Sequence, residues 1–221
     1  MNFDKKIIKN IEEEAKKYFK GASGCHDWSH VERVKNLALH IGKIEKANLK
    51  LLEIAVLLHD IGRRDEMKAK GTFCHAIQSG KISRKILLKY GFNQQAIDEI
   101  VHCIEAHRYR NNIVPNTIEA KVLYDADKLD SMGAIGIGRA FLFAGNAGSN
   151  TLYTGNEKTL AKTSKDYSFT KEDSAALEYE VKLKNIKNKM LTKEGKKIAN
   201  ARHKFMENFF AIFWQEIEGK K

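Results

Sequence analysis

Residues 51–60 read Leu-Leu-Glu-Ile-Ala-Val-Leu-Leu-His-Asp, a stretch without glycine or proline and apolar on nearly every side, with Glu53 its one early polar residue. A helix with no polar face has to be surrounded by other protein, so this segment is expected to be a buried central helix. Its last turn then takes His59 and Asp60 inside with it. Burying an ionised carboxylate alone costs on the order of several kcal/mol, unless its pKa rises until it is neutral or a cation sits beside it. Gly62, Arg63 and Arg64 follow and end the helix with positive charge. As an isolated dipeptide, His59-Asp60 reads equally well as a hydrogen-bonded pair at a helix C-terminus. The histidines and carboxylates elsewhere in the chain change that balance.

The remaining sequence favours helix. It has a single proline, Pro115, and long runs rich in Ala, Leu, Ile, Lys and Glu, which points to an all-α protein. With 221 residues it is long enough to bury a sizeable core as one domain over 1–221. No internal repeat is evident, no apolar run reaches the roughly 18 residues of a membrane span, and MNFDKKIIKNIEEEAKKYF has no apolar segment of the signal-peptide kind. Cys25, Cys74 and Cys103 show no CxxC spacing; they read as small buried residues in a reducing cytoplasm, although each stands next to a histidine. The net charge of +11 comes from lysines spread along helices rather than clustered with aromatics. That argues against nucleic acid as a partner and for a solvated surface whose positive field draws small anions.

Along the chain, Phe3, Ile7, Ile8, Ile11, Ala15, Tyr18 and Phe19 predict an amphipathic first helix, ended by Gly21-Ala22-Ser23-Gly24. The segment CHDWSHVERVKNLALHIGK predicts a second, capped by Asp27 or Ser29. His26, His30 and Arg33 share one face of it, unless it starts only after Trp28, which leaves His26 in the loop leading in. RRDEMKAKGTF, with Gly71, reads as a polar connection. In the helix that follows, His75 shares a stripe with Ser79, Ile82 and Ile86 and should point inward. In the next, from about Gln94 to His107, His107 continues the stripe of Ile97, Ile100 and Ile104, whereas His102 lies on the outer face. After Pro115, Asp127 and Asp130 follow the apolar face of IEAKVLYDADKLD inward, and Asp125 belongs to a different side with Lys121 and Lys128. Residues 145–173, rich in Gly, Asn, Ser and Thr, are either a lid or a disordered excursion. Two amphipathic helices close the chain, one through Ala176, Tyr179, Leu183, Ile186 and Met190, the other through Ile198, Ala201, Phe205, Phe209, Ile212 and Phe213. Their stripes suit a core or the seam of a homodimer.

The inward-facing polar residues are therefore His30, His59, Asp60 and Asp127, with His75 and His107 behind them. Two imidazoles and two carboxylates suit a divalent cation of the Mn, Fe, Co or Ni type, and Zn less selectively. No thiolate set points to structural zinc. This ordering, a first His, then His-Asp adjacent on a buried helix, then a distant Asp, resembles the HD superfamily of metal-dependent phosphohydrolases. HDWSHVERV is similar to the family's first motif, LLHDIGRR to its second and DADKLDSMGAIGIGRAF to its last, and the tail from Ala176 to Phe210 is similar to the C-terminal helices of small single-domain bacterial members. The resemblance implies an all-α, HD-domain/phosphodiesterase-like helical bundle. It also implies His30, His59, Asp60 and Asp127 as ligands of a divalent metal ion (Mn, Mg, Fe, Co, Ni or Zn). His75 and His107 match positions that, in phosphodiesterase branches, bind a second metal or the phosphate. The HxxGxP signature of the cyclic-di-GMP branch is missing.

The expected function is hydrolysis of a nucleotide or other small phosphate ester by metal-activated water. Asp60, His107, Lys128 and Arg33 are the expected catalytic groups, with Arg33 and Lys128 within a turn of a proposed ligand. His75, Arg63, Arg64, Asp130 and His26 are expected on the substrate side. One tightly bound cation is expected, because neither His75 nor His107 has an adjacent carboxylate in sequence, and His107 would protonate the leaving oxygen. A di-iron oxygenase on the same fold, with His75 and His107 completing the site, is one rival. A non-catalytic regulatory or nucleic-acid-binding module, supported only by the charge, is the other.

Overall fold

The computed structural model describes residues 4–22, 25–69, 72–108, 112–149, 151–163, 170 and 173–221. No β-strand occurs among them, in keeping with an all-α protein. None of the helices in this range is long and apolar enough to cross a membrane. The chain forms two compact units, Met1–Asp127 and Lys128–Lys221.

In the first unit, α1 (Lys5–Lys16) runs on into a 3-10 turn, Lys17–Phe19, and buries Ile8, Ile11, Ala15 and Phe19. Phe3, Ser23 and Gly24, assigned above to this helix and its end, lie outside the described residues. The helices α2 (Trp28–Ile44), α3 (Leu49–Leu58), α4 (Arg63–Lys68), α5 (His75–Lys89), α6 (Gln94–Ala106) and α7 (Ile118–Leu129) follow, the last ending just past the unit's boundary. Helix α3 is the expected centre. Seven of its ten residues are buried, and α1, α2, α5 and α6 all pack on it. Asn48 caps its start by accepting from the Leu51 amide at 3.2 Å, while the Asn48 amide donates to Glu119 at 2.7 Å.

The regular helix stops at Leu58, so His59 and Asp60 occupy the turn after it rather than its last turn. Gly62 makes that turn compact. A Cβ there would stand 2.7 Å from the Ser79 nitrogen and 2.9 Å from the His75 carbonyl oxygen, too close for any side chain, and the Gly62 amide donates to Ser79 Oγ at 2.9 Å. The first turn of α5 is thereby held against the His59-Asp60 turn. The segment read as a polar connection contains α4; six residues are too few to show an apolar period, and Glu66 on it is buried. Gly71 lies outside the described residues.

In the second unit, α8 (Gly133–Asn146) and α11 (Lys193–Ile217) pack together, with α9 (Glu157–Leu160) and α10 (Ala175–Val181) between them in sequence. The helix expected through Ala176–Met190 is broken at Lys182 and continues as a 3-10 helix, Leu183–Lys189. Leu183 and Ile186 remain buried because three residues make one 3-10 turn. Phe209 and Phe213 of α11 meet Phe141 of α8, and Tyr179 stacks on Phe210 with centroids 4.3 Å apart. Within 145–173, Glu157 is buried and accepts from the Thr154 amide at 2.5 Å and from Ser174 Oγ at 3.3 Å. Residues 150, 164–169 and 171–172 of that stretch lie outside the described residues.

Candidate metal centre

Four of the expected residues converge within the first unit. Asp27 caps α2 by accepting from the His30 amide at 3.3 Å, which places His30 in the first turn of the helix and His26 in the loop before it. His30 Nε2 lies 3.3 Å from His59 Nε2, 3.5 Å from Asp127 Oδ1 and 3.8 Å from Asp60 Oδ2, and His59 Nε2 is 4.0 Å from that same oxygen. A cation with bonds of about 2.1 Å separates neighbouring donor atoms by about 3.0 Å and opposite ones by about 4.2 Å in an octahedral shell. The observed spacing falls inside that range. His30, His59 and Asp60 are almost fully buried, while the Asp127 side chain is 23% exposed and marks the side open to solvent.

The other oxygen of Asp60 faces a second set. Asp60 Oδ1 is 3.1 Å from His75 Nε2 and 3.6 Å from His107 Nε2, and those two nitrogens are 3.2 Å apart. His75 and His107 are 2% exposed, inward as their stripes predict.

The partners of the opposite ring nitrogens decide what these imidazoles offer. His59 Nδ1 lies 2.7 Å from the Val56 carbonyl oxygen, His107 Nδ1 2.5 Å from that of Ile104, and His75 Nδ1 2.8 Å from Glu66 Oε2. A carbonyl or carboxylate oxygen only accepts, so each Nδ1 carries the hydrogen and, in the neutral ring, each Nε2 is a lone pair aimed inward. Lone pairs of His75 and His107 facing each other at 3.2 Å repel unless a proton or a cation lies between them. Nδ1–H bonded to a carbonyl or carboxylate is also the usual support of a metal-ligating histidine. The donor set therefore fits a divalent cation.

Electrostatics agree. Burial pushes the His59 imidazole down to about 4, leaving it neutral and able to coordinate at neutral pH. Burial alone would raise the Asp60 carboxyl, but the His59, His75 and His107 imidazoles hold it well below the usual carboxylate range. At His75 burial acts downward, yet Asp60 and Glu66 outweigh it and raise the ring's proton affinity. A proton there and a divalent cation answer the same excess of negative charge.

The expected cations divide. Arg63 Nη2 donates to His26 Nε2 at 2.9 Å, and Arg63 Nη1 stands 3.1 Å from both nitrogens of His75, so the guanidinium lies across that ring. His26 Nδ1 is 3.9 Å from Asp60 Oδ2. Arg64 is exposed and donates to the Lys20 carbonyl, and Arg33 donates to Ser29 Oγ within the start of α2. Asp130 pairs with Arg139 at 2.6 Å within the second unit, and Lys128, half-buried, opens that unit. Asp125, expected on a different side, is fully buried, because α7 buries residues 122 to 126 without a solvent-facing strip.

Glu66 and its partner Arg108 were not legible as site residues. Glu66 is 7% exposed, and between His75 and Arg108 it is pulled down to about 2 against the opposing effect of burial. It stands nine residues from His75 and 42 from Arg108, spacings no helical period marks. The one available signal was a carboxylate six residues past Asp60, followed by a histidine at a helix start.

An all-helical scaffold carrying His30, the adjacent His59-Asp60 and Asp127 at one centre defines an HD-type hydrolase fold, and the chain belongs to the HD domain family, which matches residues 27–132. Over 201 residues it is 32% identical to the Bacillus subtilis protein YpgQ, covering 89% of this chain and 87% of that protein. The crystal structure of Bacillus subtilis YpgQ in complex with ADP is similar with a TM-score of 0.72 at 29% identity, over 97% of this chain and 100% of that one. A crystal structure of an HD-superfamily hydrolase from Bacillus thuringiensis is similar with a TM-score of 0.71 at 27% identity, over 96% of each chain.

Proposed function

We propose that this chain is a divalent-metal-dependent phosphohydrolase acting on a nucleotide or another small phosphate ester. The observation that carries the reading is the convergence of His30 Nε2, His59 Nε2, Asp60 Oδ2 and Asp127 Oδ1, with the His59 tautomer fixed by the Val56 carbonyl. Nucleotides are favoured by the ADP bound to the similar Bacillus subtilis protein and by a charge of +11, which attracts anions. His30, His59, Asp60 and Asp127 hold the cation. When bound, it supplies a Lewis acid for the phosphoryl oxygen and lowers the pKa of water beside it. Asp127, partly open to solvent, orients that water. Arg63, fixed by His26 and the His75 ring, turns its remaining N–H donors to the substrate's phosphate.

The second set favours two cations over the single one expected above. Asp60 supplies the carboxylate that neither His75 nor His107 has in its own sequence neighbourhood, because its two oxygens face the two sets separately. For His107 to protonate a leaving oxygen from Nε2, the ring would have to be doubly protonated, since Nδ1 already donates to Ile104. His75 and His107 therefore serve as ligands rather than donors. The test is an anaerobic screen of metal-free protein with Mn or Mg against nucleoside triphosphates, monophosphates and cyclic nucleotides. Metal-dependent release of phosphate or pyrophosphate, or opening of a cyclic nucleotide to the monophosphate, is the expected result. Turnover that occurs only with iron and dioxygen would replace this reading with the oxygenase.

A further inference from the structure

Glu66 meets three elements at once. Its Oε2 lies 2.8 Å from His75 Nδ1, its Oε1 accepts from the His75 backbone amide at 3.4 Å, and Arg108 Nη1 donates to the same Oε1. The carboxylate sits on α4, the histidine is the first residue of α5, and Arg108 follows directly after His107 at the end of α6. One buried side chain thus ties together the segments that present His75 and His107. An uncapped α5 start would leave free amides, and Glu66 takes up one of them. A carboxylate 93% removed from solvent needs a permanent positive partner, which Arg108 provides; Arg108 is itself held by that bond within reach of His107 in sequence.

We propose that Glu66, clamped by Arg108, is a positioning residue that selects the Nδ1–H tautomer of His75 and so presents His75 Nε2 as a ligand on the Asp60 Oδ1 side of the centre. The competing tautomer would place a hydrogen on Nε2, aimed at Asp60 Oδ1 3.1 Å away, and the ring would be a hydrogen-bond donor to Asp60 with nothing left for a cation. Arg63 lying across the same ring does not choose between the tautomers, because its Nη1 is equidistant from both nitrogens. Val56 and Ile104 make the choice for His59 and His107 through backbone carbonyls, which no substitution removes. At His75 a replaceable side chain makes it. The inference rests on the metal-centre reading above and specifies how one of its ligands is kept ready.

The test uses the full chain and Zn2+ alone as probe, with 15N-labelled histidine. In metal-free wild type above neutral pH, long-range 15N–1H correlation should show His75 protonated at Nδ1, and Zn2+ loading should move the Nε2 resonance and leave Nδ1–H in place. Glu66→Ala should populate both tautomers of His75 and weaken Zn2+ binding by about ten- to hundredfold, the usual effect of removing such an outer partner. Glu66→Gln, which keeps an acceptor oxygen, should recover most of the affinity; a general packing defect would not be relieved in that way. Wild type showing Nε2–H without Nδ1–H at His75, or Glu66→Ala retaining both the Nδ1–H signature and wild-type affinity, would overturn the proposal. The wild-type spectrum stands even if Glu66→Ala does not fold. His59→Ala separates the two readings: if it also binds Zn2+ like wild type, the centre itself is misassigned, whereas loss there with no change in Glu66→Ala removes only the positioning role.

Discussion

Asp60 and Asp130 are both buried carboxylates, 4% and 1% exposed, and both read from sequence as inward-facing acids in the same kind of site. Their surroundings differ. Asp130 has a permanent cation, Arg139, at 2.6 Å, so its charge is balanced by the fold. Asp60 is ringed by imidazoles, of which His59, His75 and His107 each commit Nδ1 to an oxygen acceptor and turn Nε2 toward it. An imidazole balances that charge only when it takes up a proton, as the raised proton affinity of His75 allows, whereas an arginine carries its charge permanently. Burial of an acid therefore does not by itself mark a functional centre; the charge of what faces it does. Asp130 has its cationic partner inside the fold, and the groups around Asp60 could hold a metal ion.

The largest consequence is at the Asp60 side. His59→Ala removes a buried donor from the centre and should abolish metal-dependent phosphate release, measured on protein reloaded with Mn2+ after chelation. If turnover survives within a few-fold, His59 is a core histidine and the contrast between the two acids collapses. On the Asp130 side the effect should be on stability alone. Arg139→Leu removes the hydrogen-bonded cation of a buried carboxylate, leaving the weaker influence of Arg202, and should cost up to about 3 kcal/mol in denaturant unfolding, with metal content per folded chain unchanged. A variant as stable as wild type would mean that Asp130 does not depend on that pair.

The metal-free protein should also reveal the imidazoles through pH. The folded-state value of His59, about 4, lies below its ordinary 6.5, so the unfolded chain takes up a proton that the folded chain refuses. Stability is then full above about 6.5 and falls as pH drops toward 4, by on the order of 3 kcal/mol from this group. His75, with a raised value, acts in a different window, losing its contribution as pH rises above 6.5 through its folded value, and Asp60 acts only below 3.8. Urea melts in EDTA between pH 4 and 7 check this; a flat profile would show that His59 is not buried neutral. The smallest effect repeats the contrast at two cysteines. Burial pushes the Cys103 thiol up to about 12, whereas at Cys74 the amides starting α5 and Arg108 overcome burial and lower it. Alkylation at pH 7.5, followed by peptide mass spectrometry, should modify Cys74 well before Cys103. Equal rates would remove Arg108 as an effective cation at that end of the centre.

Much of the centre was legible because it rides on periodic helices. The unbroken apolar run through Leu58 places His59 and Asp60 inside, and the stripes of α5 and α6 carry His75 and His107 inward, all as the spacing predicts. What escaped lies where no period exists. Glu66 sits on a six-residue helix that shows no amphipathic pattern, and its partners are distant in sequence. Asp125 lies on a different side from Asp127, with Lys121 and Lys128 as helical neighbours, yet is buried because α7 is buried on opposite faces at once. The different fates of Asp127 and Asp130 depend on Arg139, whose approach across a turn is a matter of tertiary geometry. Likewise Arg63 and Arg64 are adjacent in sequence, yet one lies across His75 and the other reaches the Lys20 carbonyl.

The most direct measurement is equilibrium dialysis of metal-free wild type, Asp127→Ala and Arg139→Leu against Mn2+, with bound metal determined by mass spectrometry. Asp127 is partly exposed, so its removal leaves the core intact while taking away an oxygen 3.5 Å from His30 Nε2. Tight Mn2+ binding in wild type and Arg139→Leu, with loss or marked weakening in Asp127→Ala, is the expected result. Full Mn2+ occupancy in Asp127→Ala, or none in wild type, would contradict a centre built from His30, His59, Asp60 and Asp127.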